Sequence, residues 1–179
     1  MEQRYDLSGS LLHWYDYNKR ILPWRENKDP YRIWISEIML QQTRVEAVKP
    51  YFDRFMEVLP TVYDLAKVED DRLMKLWEGL GYYNRARNLK AAAQTIVEEY
   101  GGQLPADYDK LLSLKGIGMY TAGAIGSIAF ELQVPAVDGN VLRVLTRLWG
   151  DDSDILKDKT KKAMGRRVME FMPEDRPGD

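Results

Sequence analysis

The sequence predicts an all-α protein. Apolar residues recur at intervals of three and four along most of the chain, no segment alternates with period two for long, and glycine or proline closes one helical segment after another. A chain of 179 residues has room for one domain or two small ones. We therefore expect roughly eight or more short helices.

The first half of the chain contains four predicted helices. Pro23 cannot continue the first of them, because proline lacks a backbone donor and disfavours helix in the residue before it. Asp29 and Pro30 then provide an N-cap and a proline suited to the first helical position. The predicted helices span residues 10–20, 31–42, 45–59 and about 73–77, the last ended by Gly79 and Gly81.

In the second half, glycines again mark the boundaries. Gly101 and Gly102 stop a long helix, and Gly116 and Gly118 form a tight turn before a helix of small residues. Asp138 stands at the start of the next helix. The predicted segments are residues 84–100, a pair of helices over about 108–130, residues 138–149 and residues 160–171.

The composition narrows the possible functions. The 26 basic and 28 acidic residues nearly cancel, so net charge does not indicate a nucleic-acid ligand and local clusters must do so. With no cysteine and only His13, disulfides, thiolate nucleophiles and a histidine metal site are not expected. No apolar run approaches the roughly 20 residues that span a bilayer. We expect an intracellular protein of the cytoplasm or nucleoid, away from membranes.

Glu37 is a candidate acid because its predicted helix is apolar nearly all round. Burying a carboxylate costs free energy, so we expect the pKa of Glu37 to rise toward the range in which the side chain can hold and deliver a proton. A salt-bridged core glutamate, or one at the edge between two helices, fits the same spacing.

Asp138 is a candidate partner for this acid. The commonest role of an aspartate before a helix is that of N-cap, and the helix-terminal amides also favour the ionised carboxylate. One protonated and one ionised carboxyl group is the division of labour in glycosidic cleavage, where the anion stabilises a cationic sugar. Glu37 and Asp138 together therefore fit N-glycosidic hydrolysis.

Aromatic and basic side chains alternate over residues 79–88. Tyr82, at a glycine-rich tip, suits a wedge between bases, and Arg85 and Arg87 suit phosphates. A solvated helix start with one buried tyrosine fits the same residues. The bare amides after Gly116 suit a backbone phosphate as well, although such a turn also serves as a plain helix connector. A basic cluster over residues 157–167 is typical of a solvated face.

These motifs resemble the adenine DNA glycosylases, which remove adenine opposite 8-oxoguanine and belong to the helix-hairpin-helix superfamily of base-excision repair, together with endonuclease III. The resemblance runs from about Leu11 to the last residue. It rests on residues 23–25, 36–43, 50–52, 77–83, 85–89, 114–124 and 137–141.

Position 120 decides the subclass that the resemblance implies. Relatives similar to endonuclease III carry a lysine there, which attacks the sugar and goes on to nick the strand. This chain has Tyr120, with Lys115 as the only amine nearby. The resemblance therefore implies a monofunctional glycosylase. The alternatives are an endonuclease III-like bifunctional lyase and a helix-hairpin-helix module that binds DNA without chemistry.

The resemblance also implies roles for single residues. Glu37 is expected to protonate adenine and Asp138 to stabilise the sugar cation, with Tyr120 and Asn140 as their hydrogen-bonding support. Trp24 and Arg25 are expected in the wall of the base pocket. Contacts to DNA or to the bases are expected from Leu40, Gln41, Gln42, Thr43, Tyr82, Arg85, Arg87, Lys115, Gly116 and Gly118, and a monovalent cation on the carbonyls of Leu112, Leu114 and Ile117.

The family fold implies two helical lobes with DNA in the cleft between them. A six-helix bundle is expected over residues 22–131, and a second lobe from residues 1–21 plus 132–179. Relatives continue into four cysteines that bind a [4Fe–4S] cluster, so we expect a chain truncated before that segment, with no cofactor within these residues. The expected partner is double-stranded DNA with an A:8-oxoguanine or A:G mispair, bound by a monomer.

Overall fold

The computed structural model describes residues 6–179, and this part of the chain is all-α, as predicted. A 3-10 helix spans Pro23–Arg25. The α-helices are α1 (Leu7–Asn18), α2 (Pro30–Met39), α3 (Val45–Val58), α4 (Val62–Lys67), α5 (Asp70–Trp77), α6 (Asn84–Tyr100), α7 (Tyr108–Ser113), α8 (Met119–Phe130), α9 (Gly139–Trp149) and α10 (Asp158–Met169). Within residues 6–179 no helix has the length and apolar character needed to cross a bilayer.

Helix α2 lies inside the larger hydrophobic core and packs against α3 and α8. Asp29 caps its start by accepting from the backbone N–H of Tyr31 at 2.8 Å, and Pro30 occupies the first turn. Residues 33–39 are all buried, which agrees with a pattern that is apolar on every face. The helix ends at Met39 rather than at Gln42, because the backbone of Gln42 is left-handed.

Helix α4 was missed in the sequence. It has only six residues, and its start is closed by a capping box in which Thr61 and Asp64 each accept from the other's backbone N–H, at 3.0 and 3.3 Å. That Thr-x-x-Asp pattern is the signal that locates it. Residues 22–131 therefore contain seven α-helices, and the six-helix bundle expected there stays a prediction.

The buried apolar residues form two clusters. The larger draws on the 3-10 helix and on α2 to α8. The smaller consists of Leu142, Leu145 and Met164 from α9 and α10, and Trp149 and Phe171 meet edge to face beside it with ring centroids 5.7 Å apart. The helices α2 to α8 therefore share one core, and α9 and α10 share another.

Helix α1 contacts the C-terminal part of the chain. The Ser8 hydroxyl donates to the carbonyl of Phe171, and Arg176 donates to both carboxylate oxygens of Asp16, at 2.6 and 3.0 Å. No residue of α1 is fully buried, and Leu11 and Leu12 line a small pocket together with Val168 and Phe171. The division of the chain into lobes of residues 22–131 and residues 1–21 plus 132–179 stays a prediction.

Candidate active site and DNA-facing surface

Glu37 lies in the third turn of α2, with only 3% of its surface exposed. Its carboxylate accepts from the Tyr120 hydroxyl at 3.0 Å and from the Arg25 guanidinium at 3.3 Å. Tyr120 is the second residue of α8, and Arg25 ends the 3-10 helix. Three separate elements therefore meet at one buried carboxyl group.

The environment of Glu37 favours its protonated form. Burial raises the pKa of Glu37 above its ordinary value, the Arg25 guanidinium and the Tyr120 hydrogen bond work against this rise, and the negative charge of Asp138 adds to it. The salt bridge and the raised pKa, which the sequence offered as alternatives, thus occur together, because Arg25 is partly solvated and its attraction is weakened by water. A buried carboxyl in this state can deliver a proton.

Asp138 caps α9 and also faces the site. Its carboxylate accepts from the backbone N–H groups of Asn140 and Val141, at 2.9 and 2.8 Å, and from the side-chain amide of Asn140 at 2.8 Å. Arg143, one turn later, donates to the side-chain amide oxygen Oδ1 of Asn140 at 2.6 Å and so fixes which end of that amide points at Asp138. The sequence reading missed Arg143, although its spacing of three from Asn140 on one helix face is a usable signal.

A cleft of about 870 Å³ joins these residues. Tyr120, Asp138 and Gln41 line it, and Glu37 connects to it through Tyr120. Burial raises the pKa of the Tyr120 phenol, and Glu37 and then Asp138 raise it further, so this hydroxyl stays a hydrogen-bond donor. Three residues of the basic cluster that was read as a solvated face also line the cleft, namely Lys161, Lys162 and Arg166.

Trp24 lies in the core next to Arg25, and its expected place in the pocket wall stays a prediction. Trp24 is 1% exposed and packs edge to face on Phe52, with ring centroids 5.2 Å apart. Arg25 reaches the site through Glu37. Trp24 therefore supports the 3-10 helix from the core.

The hairpin between α7 and α8 is a tight turn. Gly116 has φ +82°, and the N–H of Ile117 donates to the carbonyl of Leu114 at 3.1 Å. Gly118 precedes α8 as its N-cap residue, and Lys115 is exposed beside it. A phosphate on this helix start, and a monovalent cation on the carbonyls of Leu112, Leu114 and Ile117, stay predictions.

Gln42 and Tyr82 present two exposed side chains on left-handed backbone. Their φ angles are +59° and +48°, and Tyr82 is 67% exposed. This conformation costs a residue with a side chain about 1–2 kcal/mol, and such strain collects at functional sites. Neighbouring residues stabilise the turn at Gln42. The backbone N–H of Leu40 donates to the carbonyl of Ser36 at 2.9 Å, and the Thr43 hydroxyl donates to the carbonyl of Gln41 at 3.4 Å. Gln41, Gln42 and Tyr82 line one shallow pocket.

Arg85 and Arg87, which are both expected to bind phosphate, have different hydrogen-bond partners. The terminal nitrogens of Arg85 donate to five backbone carbonyls, of Ile38, Met39, Gln41, Leu80 and Gly81, at 2.7–3.3 Å. Arg85 is therefore a structural link between two loops. Arg87 is exposed, and the hydrogen bond that its side chain makes within residues 6–179 goes to the Asn84 side chain at 3.0 Å, so it keeps donors for a phosphate.

Residues 35–171 match the family described as HhH-GPD superfamily base excision DNA repair protein. The chain belongs to this superfamily. Adenine DNA glycosylases are among the relatives that this HhH-GPD chain matches. The chain is 42% identical to the adenine DNA glycosylase of Rattus norvegicus, and the alignment covers 95% of this chain and 35% of the relative. It is 45% identical to the adenine DNA glycosylase of Buchnera aphidicola subsp. Acyrthosiphon pisum, and the alignment covers 87% of this chain and 45% of the relative. The chain thus spans about a third of the rat relative's length.

Two solved structures resemble the fold of the HhH-GPD chain. A thermostable thymine-DNA glycosylase superimposes with a TM-score of 0.86 at 29% identity, over 94% of this chain and 78% of that chain. Endonuclease III, trapped as a covalent intermediate with DNA, superimposes with a TM-score of 0.78 at 25% identity, over 99% and 82%. The likeness confirms the predicted helix-hairpin-helix glycosylase fold.

The residues of this HhH-GPD chain do not fit an iron–sulfur cluster. Such clusters are held by cysteine thiolates, and the sequence contains no cysteine. Within residues 6–179, no group of His, Asp or Glu side chains is arranged to hold a metal ion.

Proposed function

We propose that this chain carries the activity of an adenine DNA glycosylase, which releases adenine mispaired with 8-oxoguanine or guanine and leaves an abasic site. The observation that carries the proposal is the buried Glu37, held between Tyr120 and Arg25 at the edge of the cleft that Asp138 lines. The relatives named adenine DNA glycosylase support adenine as the base.

The two carboxyl groups have different tasks. The adenine must leave the duplex to reach them, because its glycosidic bond is inaccessible in the stack. Glu37 then gives its proton to the adenine ring, the bond from sugar to base breaks, and its electron pair stays with the base. Asp138 stabilises the sugar cation that remains, since it is an anion held by three donors beside the cleft. Water adds to the sugar and returns its proton to Glu37.

The mispair is recognised, in this proposal, at the exposed turns. Gln42, Thr43 and Tyr82 lie beside the space that the extruded adenine leaves, and Tyr82 fills or opens the stack there. The support is the exposure of Gln42 and Tyr82, the left-handed backbone that presents them to solvent, and the position of Thr43 directly after Gln42. Arg87, Lys115 and the start of α8 hold the DNA backbone.

The reaction stops at the abasic site in this proposal. Tyr120 cannot form a Schiff base, and its hydroxyl is already committed to Glu37 at 3.0 Å. Glu37, Tyr120, Asp138 and Asn140 all come from one chain, which supports action as a monomer. We also propose intracellular DNA as the target, because the chain belongs to a superfamily of base-excision DNA repair proteins.

The test uses the full natural chain under single-turnover conditions, with duplexes carrying A:8-oxoguanine, A:G or A:T, and abasic sites revealed by alkali. Glu37→Gln should slow adenine release about 10²–10⁴-fold, the usual contribution of a general acid. Glu99→Gln, at an exposed position of α6, should leave the rate unchanged. Adenine release that ignores Glu37→Gln contradicts the proposal.

Two further outcomes separate the alternatives. Borohydride trapping of a covalent adduct that requires Lys115 would support a bifunctional lyase. Mispair binding that survives Asp138→Asn, with no base released by the unmodified chain, would support a DNA-binding module without chemistry.

A further inference from the structure

Arg85 links two loops that are far apart in the sequence. One terminal nitrogen, Nη1, donates to the carbonyls of Ile38 and Gln41, both at 2.7 Å, at the end of α2. The other, Nη2, donates to the carbonyls of Leu80 and Gly81, at 3.0 and 3.2 Å, in the loop before α6. A guanidinium suits this task because its donors are fixed in one plane.

The carbonyls that Arg85 holds directly precede the two exposed left-handed residues. Gln42 follows Gln41, and Tyr82 follows Gly81. Within residues 6–179, the other non-glycine residue with positive φ is Glu131. Strained backbone persists only where its surroundings fix it, and here the same side chain fixes both turns. The Arg85 guanidinium also lies 5.7 Å from the centre of the Tyr82 ring.

We propose that Arg85 is a positioning residue that sets the spacing between Gln42 and Tyr82, and through it the preference of the protein for mispaired over paired DNA. The inference rests on the proposed function, in which these two side chains enter the stack beside the flipped base. Arg85 itself contacts neither base nor phosphate, because its terminal nitrogens already serve the carbonyls.

Lysine provides the discriminating substitution. Arg85→Lys keeps the positive charge but offers three donors on one atom, which cannot reach both pairs of carbonyls in the plane that the guanidinium provides. A phosphate contact would largely survive this change, since lysine also binds phosphate as a point charge. A positioning role would not survive it.

The experiment measures the dissociation constants of mispaired and fully paired duplexes over a range of salt concentrations, with a non-cleavable adenine analogue and with the folded fraction verified by circular dichroism. Arg85→Lys should weaken binding of the A:8-oxoguanine duplex about tenfold, leave the paired duplex unchanged and leave the salt slope unchanged. Arg87→Ala, the matched comparison, should weaken both duplexes alike and lower the salt slope by about 1.

A double-mutant cycle shows through which side chain Arg85 acts. In a Tyr82→Ala background, Arg85→Lys should cost little further mispair affinity, because the residue that it positions is already gone. An equal loss in both backgrounds, or a parallel loss for mispaired and paired duplexes, would overturn the positioning role. If the unmodified protein itself does not prefer the mispair, the proposed function fails instead.

Discussion

Alanine at Gly116 should destabilise the fold, by an amount that follows from two features of the hairpin. The φ angle of +82° costs an L-residue about 1–2 kcal/mol. An added Cβ would lie 2.7 Å from the Cβ of Asn88, and relieving such overpacking costs about 1–3 kcal/mol more. Gly116→Ala should therefore lose roughly 2–5 kcal/mol, which lowers the melting temperature by roughly 5–15 °C in a chain of this size.

Gly118, two residues later, is the matched control. Its φ of −94° is open to any residue, and a Cβ there would meet no atom within 4 Å. Gly118→Ala should change the stability by less than about 1 kcal/mol, because the gain from a narrower unfolded ensemble is offset by the poor preference of alanine for the N-cap position. It should nevertheless weaken DNA binding, since the added methyl group stands where a phosphate would approach the first amides of α8.

Urea unfolding followed by far-UV circular dichroism, together with fluorescence anisotropy of a labelled duplex, separates the two glycines. A loss of less than about 1 kcal/mol for Gly116→Ala would refute the packing argument. Equal destabilisation by both substitutions would refute the assigned backbone geometry. Unchanged DNA affinity in Gly118→Ala would refute the close approach of a phosphate.

Three further substitutions test other parts of the site. Arg143→Ala should slow adenine release about tenfold without changing DNA affinity, because the Asn140 amide loses its orienting partner; single-turnover rates measure this, and an unchanged rate contradicts it. The fold raises the pKa of Glu37 from 4.5, so the folded state holds this proton to higher pH than the unfolded state, and wild-type stability should fall relative to Glu37→Gln as pH rises from 4.5 through the folded pKa. Unfolding free energies at several pH values test this, and a constant difference refutes it. Arg87→Ala should change stability by less than about 0.5 kcal/mol in the same urea assay, and a larger loss would indicate a structural role.

Local signals predicted most of the fold. Asp29 and Pro30 fixed the start of α2, Gly101 fixed the end of α6 through its left-handed backbone, and Asp138 opened α9 as an N-cap. The burial of Glu37 also followed from a local pattern, because an entirely apolar helix has no solvent face on which to place a carboxyl group.

The sequence did not reveal the contacts between distant residues. The spacing around Arg85 is that of a phosphate-binding segment. Its partners Ile38, Met39 and Gln41, at and just after the end of α2, lie 44–47 positions earlier in the chain, which no local pattern reveals. Trp24 likewise looks the same in sequence whether its ring faces a pocket or packs on Phe52. In both cases, side chains capable of binding a ligand were instead satisfied by the protein itself.

The hydrogen bond between Tyr120 and Glu37 couples the proposed binding of the DNA backbone at the hairpin to the positioning of the acid. Tyr120 stands one residue after the first residue of α8, and that helix begins at the hairpin that is proposed to hold the DNA backbone. Any shift of the hairpin would move the Tyr120 phenol and so change its hydrogen bond to Glu37. A hairpin transplanted from another protein, even one that grips DNA more tightly, would therefore have to reproduce the axis of α8 as well as the turn.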